Sequence, residues 1–176
     1  MNKFKIQQLK DSGNPFFEEF WSIYSHSFPL NERRDYDQQV AVLNKPDYQL
    51  DIYSVENQLY GFISYWKSDE LIFVEHLAIA PCFQRMGLGS ALLKPFIERQ
   101  TLPVILEIEP PAEEISISRL RFYQSLGFVT NLHLHFQPPY HAGEHPLKLD
   151  ILSYPQRISK ECYNLFSHFQ KCTLVD

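Results

Sequence analysis

Cysteine is scarce in this chain, and what is present is not arranged for cross-linking. Among 176 residues only Cys82, Cys162 and Cys172 are cysteines. They form no CxxC pair, and an odd number cannot all pair within one chain. A disulfide framework is therefore not expected, and a reducing cytoplasm is the expected compartment. Long apolar runs are absent too, so no segment approaches the length that spans a bilayer. The opening residues, MNKFKIQQLK, lack the apolar stretch of a secretory signal, and none is expected. Positive charge is in deficit: 16 Lys and Arg stand against 21 Asp and Glu, for a net charge of −5. No large basic field exists to hold nucleic acid. A mildly acidic protein instead suits cationic small molecules or protein amines as partners. With no internal repeat, low-complexity tract or linker, residues 1–176 read as one domain, with a core over about 3–153 and a C-terminal helix over about 157–172.

What is present is a dense aromatic complement, 14 Phe and 10 Tyr, set in alternating patterns. Phe4–Leu9 reads as a strand. Phe16, Phe17, Phe20, Trp21, Tyr24 and Phe28 recur at steps of three and four, which predicts a helix with Asn14 as N-cap and Pro15 in its first position. A second helix is expected over Glu32–Leu43. Three strands follow, Tyr48–Val55, Leu59–Trp66 and Leu71–Ala80, joined by connections short enough to require an antiparallel meander. A helix from about Gly89 to Gln100 should kink at Pro95. Val104–Ile108 is a strand, reached by a right-handed parallel crossover. Ser116–Leu126 is a helix ended by Gly127, and Phe128–Phe136 and Leu147–Ser153 are strands. The fold class is mixed α/β with one sheet, antiparallel early and parallel at one crossover.

The stretch PCFQRMGLGS, Pro81–Ser90, lies where the apolar third strand hands over to a helix. Glycines at 87 and 89 there can bare several backbone N–H groups to an anion. Three phosphate-binding chemistries compete. A nucleotide P-loop needs GxxxxGK followed by Ser or Thr, and no such string occurs. A dinucleotide fold needs GxGxxG, but Leu92 takes the third glycine position and a meander precedes the loop. The third candidate rests on QRMGLG taken with the preceding VEHLAIAP, the following VILEIE and the later RFYQSLGF.

Those four segments, in that order, resemble the GNAT superfamily of N-acetyltransferases, with its (Q/R)xxGxG/A and FYxxxGF signatures. The resemblance runs over roughly Phe4 to Ser153. It implies a GNAT-like sheet with splayed central strands flanked by helices, and acetyl-CoA as acyl donor. Carried over by position, the backbone from Gln84 through Arg85, Met86, Gly87, Leu88 and Gly89 to Ser90 would hold the pyrophosphate. Leu77, Ala78 and Ile79 would pair through their backbones with the pantetheine arm. Arg85 stands where many relatives have glycine. Ser116 and Arg119 replace a common Asn and Ala, with Ser116 still able to donate a hydrogen bond to the cofactor.

Transfer to an amine needs the ammonium, with a pKa near ~10, to lose a proton before attacking the thioester. The oxyanion of the tetrahedral intermediate needs a donor, and a backbone N–H at Leu77 or Ala78 would serve. Tyr123, matching the tyrosine of the family segment, is the candidate general acid for the leaving thiolate. Glu75 is the candidate base, acting through water, with an ion pair as its alternative role. His76 should point to the opposite face of the strand. Glu107 and Glu109 share a face on the next strand as reserve bases. His133 and His135 should share a strand face near His141 and His145. A metal there is conceivable but not expected. Cys82 is expected to be a small buried residue. Acceptor contacts are expected from Glu32, Arg33 and Tyr36 and from Tyr140 and His141, whose acidic and aromatic groups suit an ammonium ion. The acceptor is a small-molecule or peptide amine. A non-catalytic module that binds acyl-CoA is the rival reading, and monomer and homodimer both remain open.

Overall fold

The structure, a computed structural model, describes residues 4–174. These residues form eight strands and five helices. β1 (Lys5–Gln8) is followed by α1 (Phe17–Ser27) and α2 (Tyr36–Val42). The meander is β2 (Tyr48–Val55), β3 (Gln58–Lys67) and β4 (Ile72–Ile79). Then come α3 (Leu88–Glu98), β5 (Val104–Ile108), α4 (Glu114–Ser125), β6 (Val129–Thr130), β7 (His135–Gln137), β8 (Leu147–Tyr154) and α5 (Lys160–Leu174). The sheet order is β1-β2-β3-β4-β5-β8-β6, with β7 also pairing β8. The step from β4 through α3 to β5 is the one parallel crossover in an otherwise antiparallel sheet flanked by helices. No helix among the described residues is long and apolar enough to cross a membrane.

Two compact units divide the chain, one running to Lys67 and including Val74–Phe96, the other comprising Ser68–Phe73 and everything from Ile97 onward. The division falls inside β4. Ile72 still donates its N–H to the Pro103 carbonyl at 2.9 Å, within the second unit. From Val74 the strand belongs with β3, and Ala80 N–H bonds the Tyr60 carbonyl at 2.9 Å.

The first unit is built on an aromatic core. Phe17, Phe20, Ile23 and Tyr24 of α1 are buried, and Phe20 meets Phe62 of β3 edge-to-face at 4.8 Å. The expected helix over Glu32–Leu43 is broken. A single 3-10 turn, Leu30–Glu32, precedes α2. Asp35 is the reason: its side chain accepts from Gln38 N–H while the Gln38 side chain accepts from Asp35 N–H, a capping box that starts a fresh helix. α3 runs on through Pro95.

In the second unit β5 and β8 pair antiparallel from Val104↔Tyr154 to Ile108↔Asp150. The strand expected over Phe128–Phe136 is two short strands, β6 and β7. Asn131 separates them, its amide donating to Ser153 Oγ at 2.8 Å and its carbonyl accepting from Ile158 N–H at 2.9 Å. α5 packs Phe166 against Phe73 at 5.2 Å.

Candidate active site

β4 leads into the glycine loop. Along the strand His76, Ala78 and Ala80 are buried while Glu75, Leu77 and Ile79 are half-exposed. The Glu75 side chain itself has no exposed surface, so the exposure at this residue belongs to its backbone. Next comes a 3-10 turn, Pro81–Phe83, pinned by Phe83 stacking on Tyr60 with ring centroids 4.0 Å apart. Gln84 pins the far side by donating its amide to the Ile79 carbonyl at 3.1 Å. Beyond these anchors Arg85 has φ +63° and Gly87 φ +74°. For arginine the left-handed region costs roughly 1–2 kcal/mol, and it explains why glycine suits position 85 in similar loops. A Cβ on Gly87 would meet nothing within 4 Å, so space lies open above the turn. Leu88, Gly89 and Ser90 form the first turn of α3, whose N–H groups have no carbonyl partners of their own. These residues suit a pyrophosphate: unclaimed backbone donors, a helix N-terminus, an adjacent guanidinium and room to approach. Cys82, expected to be buried, is exposed on the turn, because the rings flanking it do the anchoring.

Glu75 is part of a buried charge cluster. Arg34 Nη1 donates to its Oε1 at 2.8 Å, and Trp66 Nε1 donates to Oε2 at 3.0 Å. The Arg34 guanidinium lies 5.6 Å from the Tyr48 ring and 5.7 Å from the Trp66 ring. His76 does not face away, as regular alternation would require. Its Nδ1 is 4.0 Å from Glu75 Oε2 and 3.5 Å from Ser64 Oγ. Ser64 and Trp66 share a face of β3, so consecutive residues of β4 reach one cluster. His76 Nε2 donates to the Glu32 carbonyl at 2.9 Å. Burial, opposed by Glu75, holds this imidazole below its ordinary value of 6.5.

Tyr123 lies in the last full turn of α4. Its carbonyl accepts from Phe128 N–H at 3.2 Å, and Gln124 carbonyl accepts from Gly127 N–H at 3.0 Å. With Gly127 at φ +94° this is a Schellman motif, completed by contact between the Tyr123 and Phe128 rings at 5.7 Å. The FYxxxGF segment thus has a structural meaning of its own: it ends the helix that carries the tyrosine. Burial, opposed by Arg119, pushes the Tyr123 hydroxyl up to about 12, so it stays protonated at neutral pH. Arg119 pairs with Glu109 on the exposed surface. Ser116 is committed to the cap of α4, accepting from Ala112 and Glu113 N–H at 3.1 and 3.0 Å and donating to the Glu113 carbonyl at 2.9 Å.

The second unit holds its own buried carboxylate, Glu107, whose side chain is 4% exposed. Its Oε1 faces His135 Nε2 in a short contact and accepts from Gln170 at 2.7 Å. Its Oε2 accepts from Gln137 at 2.6 Å. Three elements, β5, β7 and α5, thus converge on one carboxylate. Gln170 makes this bond while its own Oε1 stays buried without a partner, which costs about 1–3 kcal/mol. His133 and His135 do not share a strand face, because His133 precedes β7. His133 stacks on Tyr163 at 4.3 Å, and His135 meets the same ring edge-on at 5.9 Å. Among the described residues no group of three or more His, Cys, Asp or Glu is placed to hold a metal ion.

The residues expected at the acceptor fall in both units. Arg33 turns toward α1, its guanidinium 5.6 Å from the Trp21 ring and its Nε donating to the Phe28 carbonyl at 3.1 Å. Tyr36 is exposed and donates to Glu18 at 3.0 Å. Glu32 engages His76 through its backbone. In the second unit Tyr140 is buried and His141 half-buried.

Residues 46–130 match the family description Acetyltransferase (GNAT) domain. Over those residues the chain is similar to the GNAT superfamily. Among solved structures it is similar to a Bacteroides thetaiotaomicron protein assigned to the GNAT acetyltransferases, with 27% identity, 95% of this chain and 96% of that one covered, and a TM-score of 0.87. The ribosomal-protein-S18-alanine N-acetyltransferase of Escherichia coli shares the fold at 20% identity, covering 90% and 97%, with a TM-score of 0.63. A Salmonella typhimurium structure holding acetyl-CoA does so at 18%, covering 90% and 97%, with a TM-score of 0.59. No curated protein matches the chain in sequence.

Two features of this chain escape a linear reading. Arg34 sits 41 residues from its carboxylate, and the only hint was a pair of arginines before a capping aspartate in an acidic protein. Gly61 of β3 was the other. A Cβ there would fall 2.5 Å from the Ala78 carbonyl oxygen and 3.2 Å from a Leu92 methyl, so its lack of a side chain sets how closely β3 approaches β4 and α3.

Proposed function

We propose that this GNAT protein moves the acetyl group of acetyl-CoA to a primary amine of a small molecule or peptide by direct attack on the thioester. One observation carries the reading: β4 runs straight into a turn at the head of α3 whose backbone is left-handed at Arg85 and Gly87 and open in space above Gly87. The proposed donor contacts are the backbone of Leu77, Ala78 and Ile79 for the pantetheine arm and of Gln84–Ser90 for the pyrophosphate, with Arg85 adding charge. Ser116 is left to its cap. The thioester supplies an activated acyl group, and its departing thiolate needs a proton. Tyr123 is assigned that donation, since a phenol is protonated across the physiological range. Glu75 is assigned a fixed negative charge rather than a proton-carrying role, because its partner Arg34 is a permanent cation. The aromatic groups at Tyr36, Tyr140 and His141 are proposed acceptor contacts.

Calorimetric titration with acetyl-CoA, followed by thiol release with amino acids, polyamines, aminoglycosides and peptides, tests this. Binding with turnover on at least one amine supports transfer. Binding with no turnover on any amine supports a non-catalytic acyl-CoA module instead, and absence of binding refutes both.

A further inference from the structure

We propose that the second unit carries a separate binding site for a small organic carboxylate with an apolar body. The site is the cavity lined by the end of α3, the end of β8 and the start of α5, with Arg157 as its anion-binding residue. It goes beyond the acetyl-transfer reading and does not depend on it.

The cavity has a volume of about 590 Å³, inside the range of roughly 300–1,000 Å³ that takes small organic ligands. Its lining residues all belong to the second unit. Ile97, Leu102, Pro103 and Ile158 give it apolar surface, which suits a ring or a branched chain.

The wall formed by residues 156–159 is not a loose connector, because two buried polar side chains hold it. Asn131 is 5% exposed and Ser153 is fully buried. Ser153 Oγ donates to the Gln156 carbonyl at 2.7 Å and accepts from Asn131 Nδ2 at 2.8 Å. Asn131 Oδ1 accepts from Ile158 N–H at 2.9 Å. Buried polar groups need such partners, and here both are spent on fixing one short segment. A wall fixed in advance costs little further ordering when a ligand arrives.

Arg157 stands within that wall. Its Nε donates to the Thr130 carbonyl at 3.0 Å, which sets the plane of the guanidinium. Its two Nη groups have no partner among the described residues. They are the forked donors that a carboxylate accepts in two parallel bonds. Glu98 also lines the cavity but already has a partner, so the unmet charge there is positive. Cys162 adds a thiol. Burial pushes that thiol up from its ordinary value, so at neutral pH it is a neutral lining group and not a nucleophile. The ligand is held by charge and apolar contact, with no covalent step.

The probe is 2-naphthoate. Its uncharged counterpart is 2-naphthamide, and inorganic phosphate serves as an anion with no apolar body. Each is titrated calorimetrically into the full chain, with and without acetyl-CoA, and into Arg157→Gln, whose melting temperature is measured alongside. Cys82 and Cys172 are exposed, so in a Cys82→Ser, Cys172→Ser background the rate of alkylation by iodoacetamide reports on Cys162 alone. Naphthoate is expected to bind with a Kd below about 1 mM, to slow alkylation of Cys162, and to keep its affinity when acetyl-CoA is present. The wild-type chain should prefer naphthoate to naphthamide by about tenfold or more, and Arg157→Gln should abolish that preference. Absence of naphthoate binding, equal affinity for the acid and the amide, or displacement by acetyl-CoA would each overturn the site. So would phosphate that protects Cys162 as well as naphthoate does. Should Arg157→Gln not fold, the wild-type preference and the Cys162 rates decide. Acetyl-CoA binding and amine turnover are read separately, so failure here is distinct from failure of the transfer reading.

Discussion

Arg34 Nη1 lies 2.8 Å from Glu75 Oε1, and the two side chains are 7% and 0% exposed. Such a pair gains little over an apolar replacement, but removing one partner strands a buried charge. Arg34→Met and Glu75→Gln should each destabilise the fold by about 3–5 kcal/mol. The double variant should lose less than the sum, because neither charge is then left alone. Urea titration of the three variants measures this, and strictly additive losses would show that the residues do not act as a pair.

Gly61 should be intolerant of even one methyl group. With the Ala78 carbonyl oxygen 2.5 Å from a Cβ, backbone must move, and Gly61→Ala should cost about 1–3 kcal/mol. The strand displaced is the one proposed to carry the pantetheine arm, so acetyl-CoA affinity should drop with stability. Thermal melts and calorimetry on the same sample follow both quantities.

Gly87 and Gly127 both adopt positive φ, at +74° and +94°, but for different ends. Alanine at either should cost about 1–2 kcal/mol. At 87, inside the proposed anion cradle, affinity for acetyl-CoA should fall at least tenfold. At 127, which caps α4, acetyl-CoA affinity should stay within threefold while the melting temperature falls. Equal affinity losses would remove the special role of the loop.

The comparison of those glycines shows what a linear reading captures. Gly87 and Gly127 are legible because local backbone geometry demands them and their neighbours mark strand-to-helix and helix-to-strand junctions. The β4–α3–β5 crossover and α4 follow from the same short-range signals. Arg34, Gly61 and the ring of donors around Glu107 are not legible, since their meaning lies in contacts with residues distant in sequence. Ser116 and Asp35 misled in the opposite sense: each looks like a functional or mid-helix polar residue, and each is spent on starting a helix.

Acid should weaken the fold through His76. Burial lowers its value from 6.5 in the folded state, so the unfolded chain binds a proton first as pH falls. The stability from the neutral ring is complete above about pH 6.5 and is lost as pH drops through the folded value. The urea midpoint should therefore decline below about pH 6.5, and His76→Gln should flatten that part of the decline. An identical decline in the variant would assign it to other groups.

The most direct test of the central claim is acetyl-CoA-dependent thiol release across the amine panel by the wild-type chain and Tyr123→Phe. The expected result is turnover on at least one amine, with Tyr123→Phe lowering kcat by roughly 10²–10⁴-fold while acetyl-CoA affinity is held. Acetyl-CoA binding with no thiol release on any amine, or full kcat in Tyr123→Phe, would contradict the account.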